Sequence, residues 1–309
     1  MKHETFNVDL KGNRKVSRQV FDGTSELAKY IKTAPTNKVW QHEKLDSDQR
    51  KEPNFNDFDS LEEATKALEY GTDIYYENFK RDIKKVKDFI NRKEQNKNAS
   101  YKNDRVGFLP IVPKVLQGNP INMINQDVRP KPYPTAKIIL EKANSCGITP
   151  NDMSEFYSII FVLIQMLENR GIRCEIWITD NSYEYDEIIS MKVKLKSYTQ
   201  PLNTYKIQFP IIASDFHRRI FFRIKETNPD IQDHSWTYGY GTPLLAEYNY
   251  SHNKKAINQV IGIEENDIYI PSCQYFKYKA GSNLDEALEK IINRTNIKKY
   301  IKLDSEVIK

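Results

Sequence analysis

The clearest pattern of apolar and polar positions lies in the middle of the chain. Residues 136–143 (AKIILEKA) and 172–179 (IRCEIWIT) are rich in β-branched residues and predict two strands. Residues 151–171 between them are apolar on nearly all sides, begin behind Asp152 and end at Gly171, which predicts a buried helix. A strand, a helix and a strand at this spacing predict a crossover unit whose strands run parallel.

The pattern continues towards the C-terminus. Residues 188–198 alternate apolar side chains with lysines 192, 194 and 196, which predicts a half-buried strand near an edge of the sheet. Residues 203–227 predict one or two helical pieces joined near Pro210, residues 266–276 another strand, and residues 283–295 a capped helix. This order predicts an α/β fold, a Rossmann-like sandwich.

The N-terminal third shows mainly helical periods. Residues 22–33, 58–71 and 76–95 each place apolar residues on one face, and the second begins with a Ser60 cap and ends at Gly71. The polar run 92–104 then predicts a loop. We therefore expect a helical region over residues 1–105 and an α/β domain over residues 106–309. The latter begins with a proline-rich lead-in that includes residues 129–135.

Composition narrows the class of protein. The chain has 309 residues, a formal net charge of +5 and 29% charged residues, and lysines alternate with acids along most of it. Such weak basicity is no evidence for nucleic-acid binding by itself. Three scattered cysteines fit a reducing compartment. The first residues lack the apolar core of a signal peptide, and we expect no membrane span because no apolar run is long enough.

Searches for catalytic and cofactor motifs find only fragments. There is no Walker loop, no GxSxG and no histidine at metal-ligand spacing, so we expect no cofactor and no metal. His217 is interpreted as a structural histidine. Gly239-Tyr240-Gly241 does not complete GxGxxG, because Leu244 occupies the final position. This segment could wrap a phosphate, or it could be a turn after which Thr242-Pro243 starts a helix.

The stretch 215–226 (DFHRRIFFRIKE) is the most unusual. On a helix, Arg219, Arg223 and Glu226 share one side, while Arg218 lies about 100° away. Arginine favours planar, bidentate partners such as carboxylate or phosphate. These residues could therefore clamp a ligand or a partner, or they could form an Arg–Glu tie to a neighbouring element. Cys146 after the first strand could be a nucleophile or a small residue in a tight turn.

Several longer stretches carry a family resemblance. They are VPKVLQGNPINM, IRCEIWI, the run from VKLKSY to RIKE, and GYGTPL, with SLEEATKAL in the N-terminal third. On these, residues 106–295 resemble an uncharacterised family of tailed-phage proteins. The resemblance implies a phage protein that acts in the host cytoplasm, or one that is carried in the virion.

The same region resembles a von Willebrand factor A domain. Gly241-Thr242-Pro243-Leu244 matches the third element of the metal site of such domains. The first element, DxSxS, is missing, and the last strand supplies no aspartate. The resemblance thus implies a metal-free, degenerate copy. Domains of this kind are usually adhesive or scaffolding, and some work beside AAA+ ATPases.

Three functional hypotheses follow. The first is a non-enzymatic interaction protein that binds a phage or host protein through Arg218, Arg219, Arg223, Glu226 and the loop 239–242. The second is nucleic-acid binding, for which the candidate residues are Lys80, Arg81, Lys84, Lys85 and Lys87 together with the lysines 192, 194 and 196. The third is an enzyme of unknown class with a site around Cys146, Arg219 and Glu226.

Overall fold

The computed structural model describes residues 1–41, 43–49, 56–93, 101–105, 109–126, 134–247 and 250–301. The strands are β1 (Lys2–Asp9), β2 (Asn13–Phe21), β3 (Tyr101–Asp104), β4 (Leu109–Pro110), β5 (Met123–Gln126), β6 (Thr135–Glu141), β7 (Arg173–Glu184), β8 (Glu187–Lys196), β9 (Thr242–Pro243) and β10 (Ile268–Ile270).

The α-helices are α1 (Thr24–Thr33), α2 (Asp46–Gln49), α3 (Leu61–Tyr70), α4 (Tyr76–Lys93), α5 (Val112–Leu116), α6 (Pro150–Asn169), α7 (Thr204–Ile212), α8 (Phe222–Glu226), α9 (Leu244–Glu247), α10 (Lys254–Ile261), α11 (Cys273–Phe276) and α12 (Leu284–Arg294). A π-helix covers Phe216–Phe221, and short 3₁₀ helices cover Lys38–Trp40, His234–Tyr238 and Asn296–Lys299.

A seven-stranded mixed sheet organises the molecule. Six strands lie in the order β1-β2-β8-β7-β6-β10, and β9 pairs with β7. β6 is parallel to β7 and β10, whereas β8 is antiparallel to β7. The predicted parallel pair of strands on either side of a helix is thus confirmed as β6, α6 and β7. The fold is mixed α/β.

Helices cover both faces of this sheet. Along β6, Ile138 and Leu140 join one apolar cluster with α6, while Ile139 between them joins a second cluster with α10. This alternation places successive side chains on opposite faces. Thirteen of the twenty side chains of α6 are buried, in accord with its apolar sequence. The predicted cap Asp152 is wrong, because Thr149 caps the helix three residues earlier and Asp152 completes the capping box with it.

The mainly helical N-terminal part needs a correction. Residues 2–21 form the hairpin β1–β2, and β2 pairs in parallel with β8. Val8 and Val16 of the hairpin join the second apolar cluster, and Phe21 joins the first. The region that was predicted to be mainly helical therefore supplies two strands of the main sheet. The predicted helices α1, α3 and α4 are present, and α3 begins at the Ser60 cap and ends at Gly71 as expected.

The proline-rich region forms a small sheet of its own. β3, β5 and β4 pair antiparallel, and α5 exposes Val112, Val115 and Leu116. Most of the predicted lead-in 129–135 and of the predicted loop 92–104 lies outside the described residues. Among the helices that the structure describes, none is long and apolar enough to cross a membrane.

Candidate functional site

A cleft opens where the parallel strands end. β6 stops at Glu141, and beyond that point β9 takes its place beside β7, pairing with Ser182 and Tyr183. The cleft has a volume of about 630 Å³. Its walls come from the loop after β6 (residues 144–146), the end of β7, the π-helix and residues 237–243. Ligand sites of α/β proteins usually lie at this end of the strands.

The loop 237–243 has an unusual backbone. Tyr240 has φ 63° and Gly241 has φ 78°, both in the left-handed region. A Cβ at Gly241 would come 2.4 Å from the Trp236 ring, so only glycine fits there. Non-glycine residues are uncommon in this conformation and persist where surrounding contacts fix them.

Those contacts hold Tyr240 from three sides. Its hydroxyl donates to Glu226 Oε1 at 2.6 Å and accepts from the Asp46 backbone N–H at 2.9 Å. Its ring stacks on Phe222, with centroids 4.1 Å apart. Tyr240 is therefore a buried anchor of the cleft wall.

The prediction for Thr242-Pro243 is wrong in one respect. These two residues form β9, because Thr242 pairs with Tyr183 of β7, and α9 begins only at Leu244. Thr242 is exposed and lines the cleft together with Asn144, which follows β6. The loop thus lies beside the ends of β6 and β7, where it lines the cleft.

A buried ionisable cluster forms the floor. His217 Nδ1 contacts Asp180 Oδ2, and its Nε2 lies 3.1 Å from the backbone carbonyl oxygen of Asn144. Lys225 Nζ lies 3.4 Å from Asp180 Oδ1 and donates to Ser182 Oγ at 2.8 Å and to the Tyr240 carbonyl at 3.0 Å. We call Asp180, Ser182, His217 and Lys225 the floor cluster.

Burial and charge act in opposite directions on the floor cluster. Although burial alone would raise it, the pKa of Asp180 is lowered to about 2 by the cations Lys225 and His217 beside it. Burial lowers the pKa of Lys225 and of His217, and Asp180 opposes both shifts. Perturbed ionisable groups in a cleft are a physical mark of functional sites.

Charges of both signs line the cleft. Arg218, which is 2% exposed, adds a guanidinium to the cleft and donates through Nη2 to the carbonyl of Ile148. Lys225 is the second cation of the lining, and the acids Asp46 and Glu184 also belong to it.

The other residues of the predicted clamp face elsewhere. Arg219 donates to Asp215 Oδ1 at 2.7 Å, to the Ser47 carbonyl at 2.9 Å and to the Phe58 carbonyl at 2.8 Å. Glu226 accepts from the Ser47 hydroxyl at 2.6 Å as well as from Tyr240. Both are fully buried, so they tie the helix to the segments around residues 47 and 58.

Arg223 belongs to the same tie. It donates to Thr36 Oγ1 at 2.9 Å and to the Ala34 carbonyl at 3.1 Å, and it lies 3.5 Å from Glu226. Of the predicted binding residues, Arg218, Gly239, Tyr240, Gly241 and Thr242 line the cleft, whereas Arg219, Arg223 and Glu226 do not. Arg219, Arg223 and Glu226 therefore fit the alternative prediction, an Arg–Glu tie to neighbouring elements.

The same geometry bears on the enzyme hypothesis. Cys146 is exposed and lines the cleft, but Arg219 and Glu226 are absent from its lining. The three proposed catalytic residues are therefore not brought together around one cavity.

The lysines of the nucleic-acid hypothesis do not form one surface. Lys192 and Lys196 are buried, and they donate to the carbonyls of Gly262 and Cys174. Lys194 lies beside Asp22, with Nζ 2.9 Å from Oδ1. Lys80, Lys84, Lys85 and Lys87 are exposed on α4, and the side chain of Arg81 lies outside the described ones.

The acidic residue at the end of β6 is also hydrogen-bonded within the protein. Glu141 accepts from the N–H groups of Ala143 and Asn181 and from the Tyr269 hydroxyl, at 3.1 Å each. Within the described ranges, no group of three or more His, Cys, Asp or Glu side chains could hold a metal ion.

Comparison with known protein families gives a match over most of the chain. The family described as a domain of unknown function, DUF7192, matches residues 3–298. The chain belongs to this family. No curated protein and no solved structure matches the chain.

Sequence reasoning named no member of the floor cluster as a site residue, and it interpreted His217 as a structural histidine. Asp180 and Ser182 stand beyond the predicted end of β7 at residue 179, and Lys225 was overlooked beside the arginines. The available signal was the spacing of His217 and Lys225, eight residues apart and so on one side of a helix. Nothing in the sequence pairs them with Asp180.

Proposed function

We propose that the protein is a non-enzymatic interaction module that binds an acidic group of a protein partner in the cleft at the ends of β6 and β7. The observation that carries the proposal is that two buried cations, Lys225 and Arg218, line one cleft together with residues of the loop 237–243. A buried cation acts strongly on a carboxylate that enters a poorly solvated cleft, because little water screens the charge.

The hydrogen bonding of the floor supports binding over group transfer. Lys225 has three acceptors around Nζ, which matches the three donors of an ammonium and leaves no lone pair for a base. Ser182 accepts from Lys225 and donates to Asp180 at 3.3 Å. A cation held this firmly offers a fixed charge, and Lys225 itself is not set up to accept a proton from a nucleophile.

The nature of the partner rests on resemblance. The likeness to tailed-phage proteins and to degenerate von Willebrand factor A domains supports a phage or host protein of the infected cell, and an AAA+ ATPase is the first candidate to test. The Rossmann-like arrangement of such domains belongs to this same proposal. Parallel β6, β7 and β10 favour it, and the antiparallel hairpin β1–β2 extends it.

A random-peptide selection tests the proposal without knowledge of the partner. Purified protein should enrich peptides with an Asp, a Glu or a free C-terminal carboxylate. Arg218→Gln should lose that enrichment, whereas Arg294→Gln, an exposed arginine at the end of α12, should keep it. Failure to enrich acidic peptides, or equal enrichment by Arg218→Gln, would contradict the proposal.

Nucleic-acid binding is the second candidate. The exposed lysines 84, 85 and 87 on α4 favour it, since phosphate contacts require accessible cations. A gel shift at low salt that shows no complex would exclude this function.

A further inference from the structure

This inference concerns a surface outside the cleft, and it rests on the second candidate function, nucleic-acid binding. We propose that helix α4 and the turn that joins it to α3 bind a single strand of nucleic acid. Exposed tyrosine rings of this surface stack on unpaired bases, and lysines of α4 contact the phosphates. The ligand class is therefore a single-stranded oligonucleotide, recognised without strong sequence preference.

The lysines form one row because of the helical spacing of α4. Lys80, Lys84 and Lys87 follow Tyr76 at intervals of four, four and three residues. At 100° for each residue, the four side chains fall within about 80° of one another and extend over about 17 Å of the helix. Val86 points instead into the apolar cluster under the helix and is fully buried. We call Lys80, Lys84 and Lys87 the basic row.

The cations of the basic row are accessible to a ligand. Lys84 and Lys87 are exposed, and neither has an ion-pair partner among the side chains that the structure describes. Lys80 lies 3.6 Å from Glu77, but both side chains are exposed, and such a pair is weak. Asp88 is the other exposed acid on this part of the helix. At least two cations of the row are therefore available to phosphate groups.

Exposed aromatic side chains lie at the start of the basic row. Tyr70, Ile74 and Tyr76 are 66%, 53% and 44% exposed. The Tyr205 ring of α7 packs on the backbone of Gly71, where an added Cβ would come 2.4 Å from it, and Tyr205 is itself 50% exposed. Tyr76 also continues directly into the row, because the ammonium group of Lys80 lies 4.9 Å from the centre of its ring.

This combination favours a single strand over other acidic partners. Every base presents a π-face to an aromatic side chain, but only an unpaired base leaves that face accessible. A duplex would contact the lysines through its phosphates and leave the tyrosines without a stacking partner. An acidic protein segment would likewise use only the charges.

Fluorescence anisotropy of labelled oligothymidine at low salt tests the role of the tyrosines. The single strand should bind more tightly than a duplex of the same length. Tyr76→Ala should lower the affinity for the single strand by about 5- to 150-fold, whereas Tyr76→Phe should keep it, because the ring is what stacks. Tyr185→Ala, at an exposed tyrosine in the turn between β7 and β8, should leave the affinity unchanged.

The salt dependence of the same binding tests the lysines. Replacement of Lys84 and Lys87 by alanine should reduce the slope of log affinity against log salt concentration by about 0.7 for each lysine. Replacement of Lys254 and Lys255, which are exposed on α10, is the matched control and should not change the slope. Helix α4 packs on the first apolar cluster and α10 on the second, so the control lies across the sheet.

The possible failures of these two experiments are distinguishable. Equal affinity for duplex and single strand, with no loss for Tyr76→Ala, would overturn this inference and leave nucleic-acid binding in place. Absence of a complex with either probe would remove the second candidate function as well. Displacement of oligothymidine by polyglutamate as effectively as by unlabelled oligothymidine would overturn the inference too, and it would assign the surface to an acidic protein.

Discussion

Arg218 and Arg219 are neighbours in sequence, yet they serve two different regions of the molecule. Arg219 is enclosed by Asp215 and by the carbonyls of Ser47 and Phe58, and it holds distant segments together. Arg218 turns towards the cleft and adds charge to its floor. Both side chains are almost fully buried, so burial alone does not distinguish an arginine that ties segments together from one that lines a cleft.

The surrounding acceptors make the difference. Each nitrogen of the Arg219 guanidinium donates to a carboxylate or a carbonyl oxygen of the protein, so its charge stabilises the fold. Arg218 instead lines a cavity together with Lys225 of the floor cluster. Both arginines belong to the π-helix Phe216–Phe221, an irregular helix type that often marks functional sites.

The largest expected loss of stability comes from breaking the tie, which is the set of contacts that Arg219, Arg223 and Glu226 make with neighbouring segments. Arg219→Met leaves Asp215 buried without its cation and should lower the free energy of unfolding by about 3–5 kcal/mol. Urea unfolding measures this loss. Arg218→Gln should cost only about 1–2 kcal/mol, because glutamine can still hydrogen-bond nearby. Equal losses for the two variants would remove the distinction between the two regions.

The next largest effect is expected in acid, where protonation of Asp180 in the floor cluster should lower the free energy of unfolding. The pKa of Asp180 lies at about 2 in the folded protein and near 3.8 when unfolded, so its stabilisation is present above pH 4 and is lost as the pH falls towards 2. We expect a contribution of about 2–3 kcal/mol. Urea unfolding of the wild type and Asp180→Asn at pH 7 and pH 3 checks it. A difference between them that does not shrink at pH 3 would show that Asp180 is not charged in the fold.

A smaller effect is expected where the two regions meet. Tyr240 lines the cleft and donates to Glu226 of the tie. Tyr240→Phe removes this bond and leaves the Asp46 N–H without its acceptor, which should cost about 1–2 kcal/mol. Thermal unfolding measures the change. No measurable loss would mean that the wall and the tie are energetically independent.

The smallest effect should come from the exposed helix face. Replacement of Lys84, Lys85 and Lys87 by alanine should change the free energy of unfolding by less than about 0.5 kcal/mol for each residue. Acidic-peptide binding should be unchanged, since these side chains lie on α4 and not in the cleft. Loss of peptide binding would show that positive charge outside the cleft is what the ligand recognises.

The sequence predicted elements whose burial follows from their own residues. Helix α6 is apolar on nearly all sides and β8 alternates, so both elements were predicted. The expected position of β8 near an edge is wrong, because it lies between β2 and β7 and most of its side chains are buried. The hairpin β1–β2 was missed, although Phe6, Val8 and Leu10 alternate with polar residues, because this alternation covers only three apolar positions. Its turn was marked only by Lys11-Gly12, which adopt positive φ angles.

The site was predicted only in part, because some of its residues are placed by long-range contacts. The 239–242 loop and Arg218 could be found, because glycines and paired arginines are conspicuous. Which face of the helix Arg219, Arg223 and Glu226 occupy depends on contacts with Ala34, Ser47 and Phe58, more than 150 residues away. Long-range partners of this kind leave no periodicity in a single sequence.

The two-residue strand β9 has a consequence for local opening. Up to Thr179, β7 pairs with the seven residues of β6. Beyond that point, Ser182 and Tyr183 pair on the same side only with the two residues of β9. Hydrogen exchange should therefore divide β7 into a slow segment and a faster one. The loop 237–243 would detach with β9 at a free-energy cost below that of global unfolding. The cleft could thus widen for an entering chain while the main sheet stays closed.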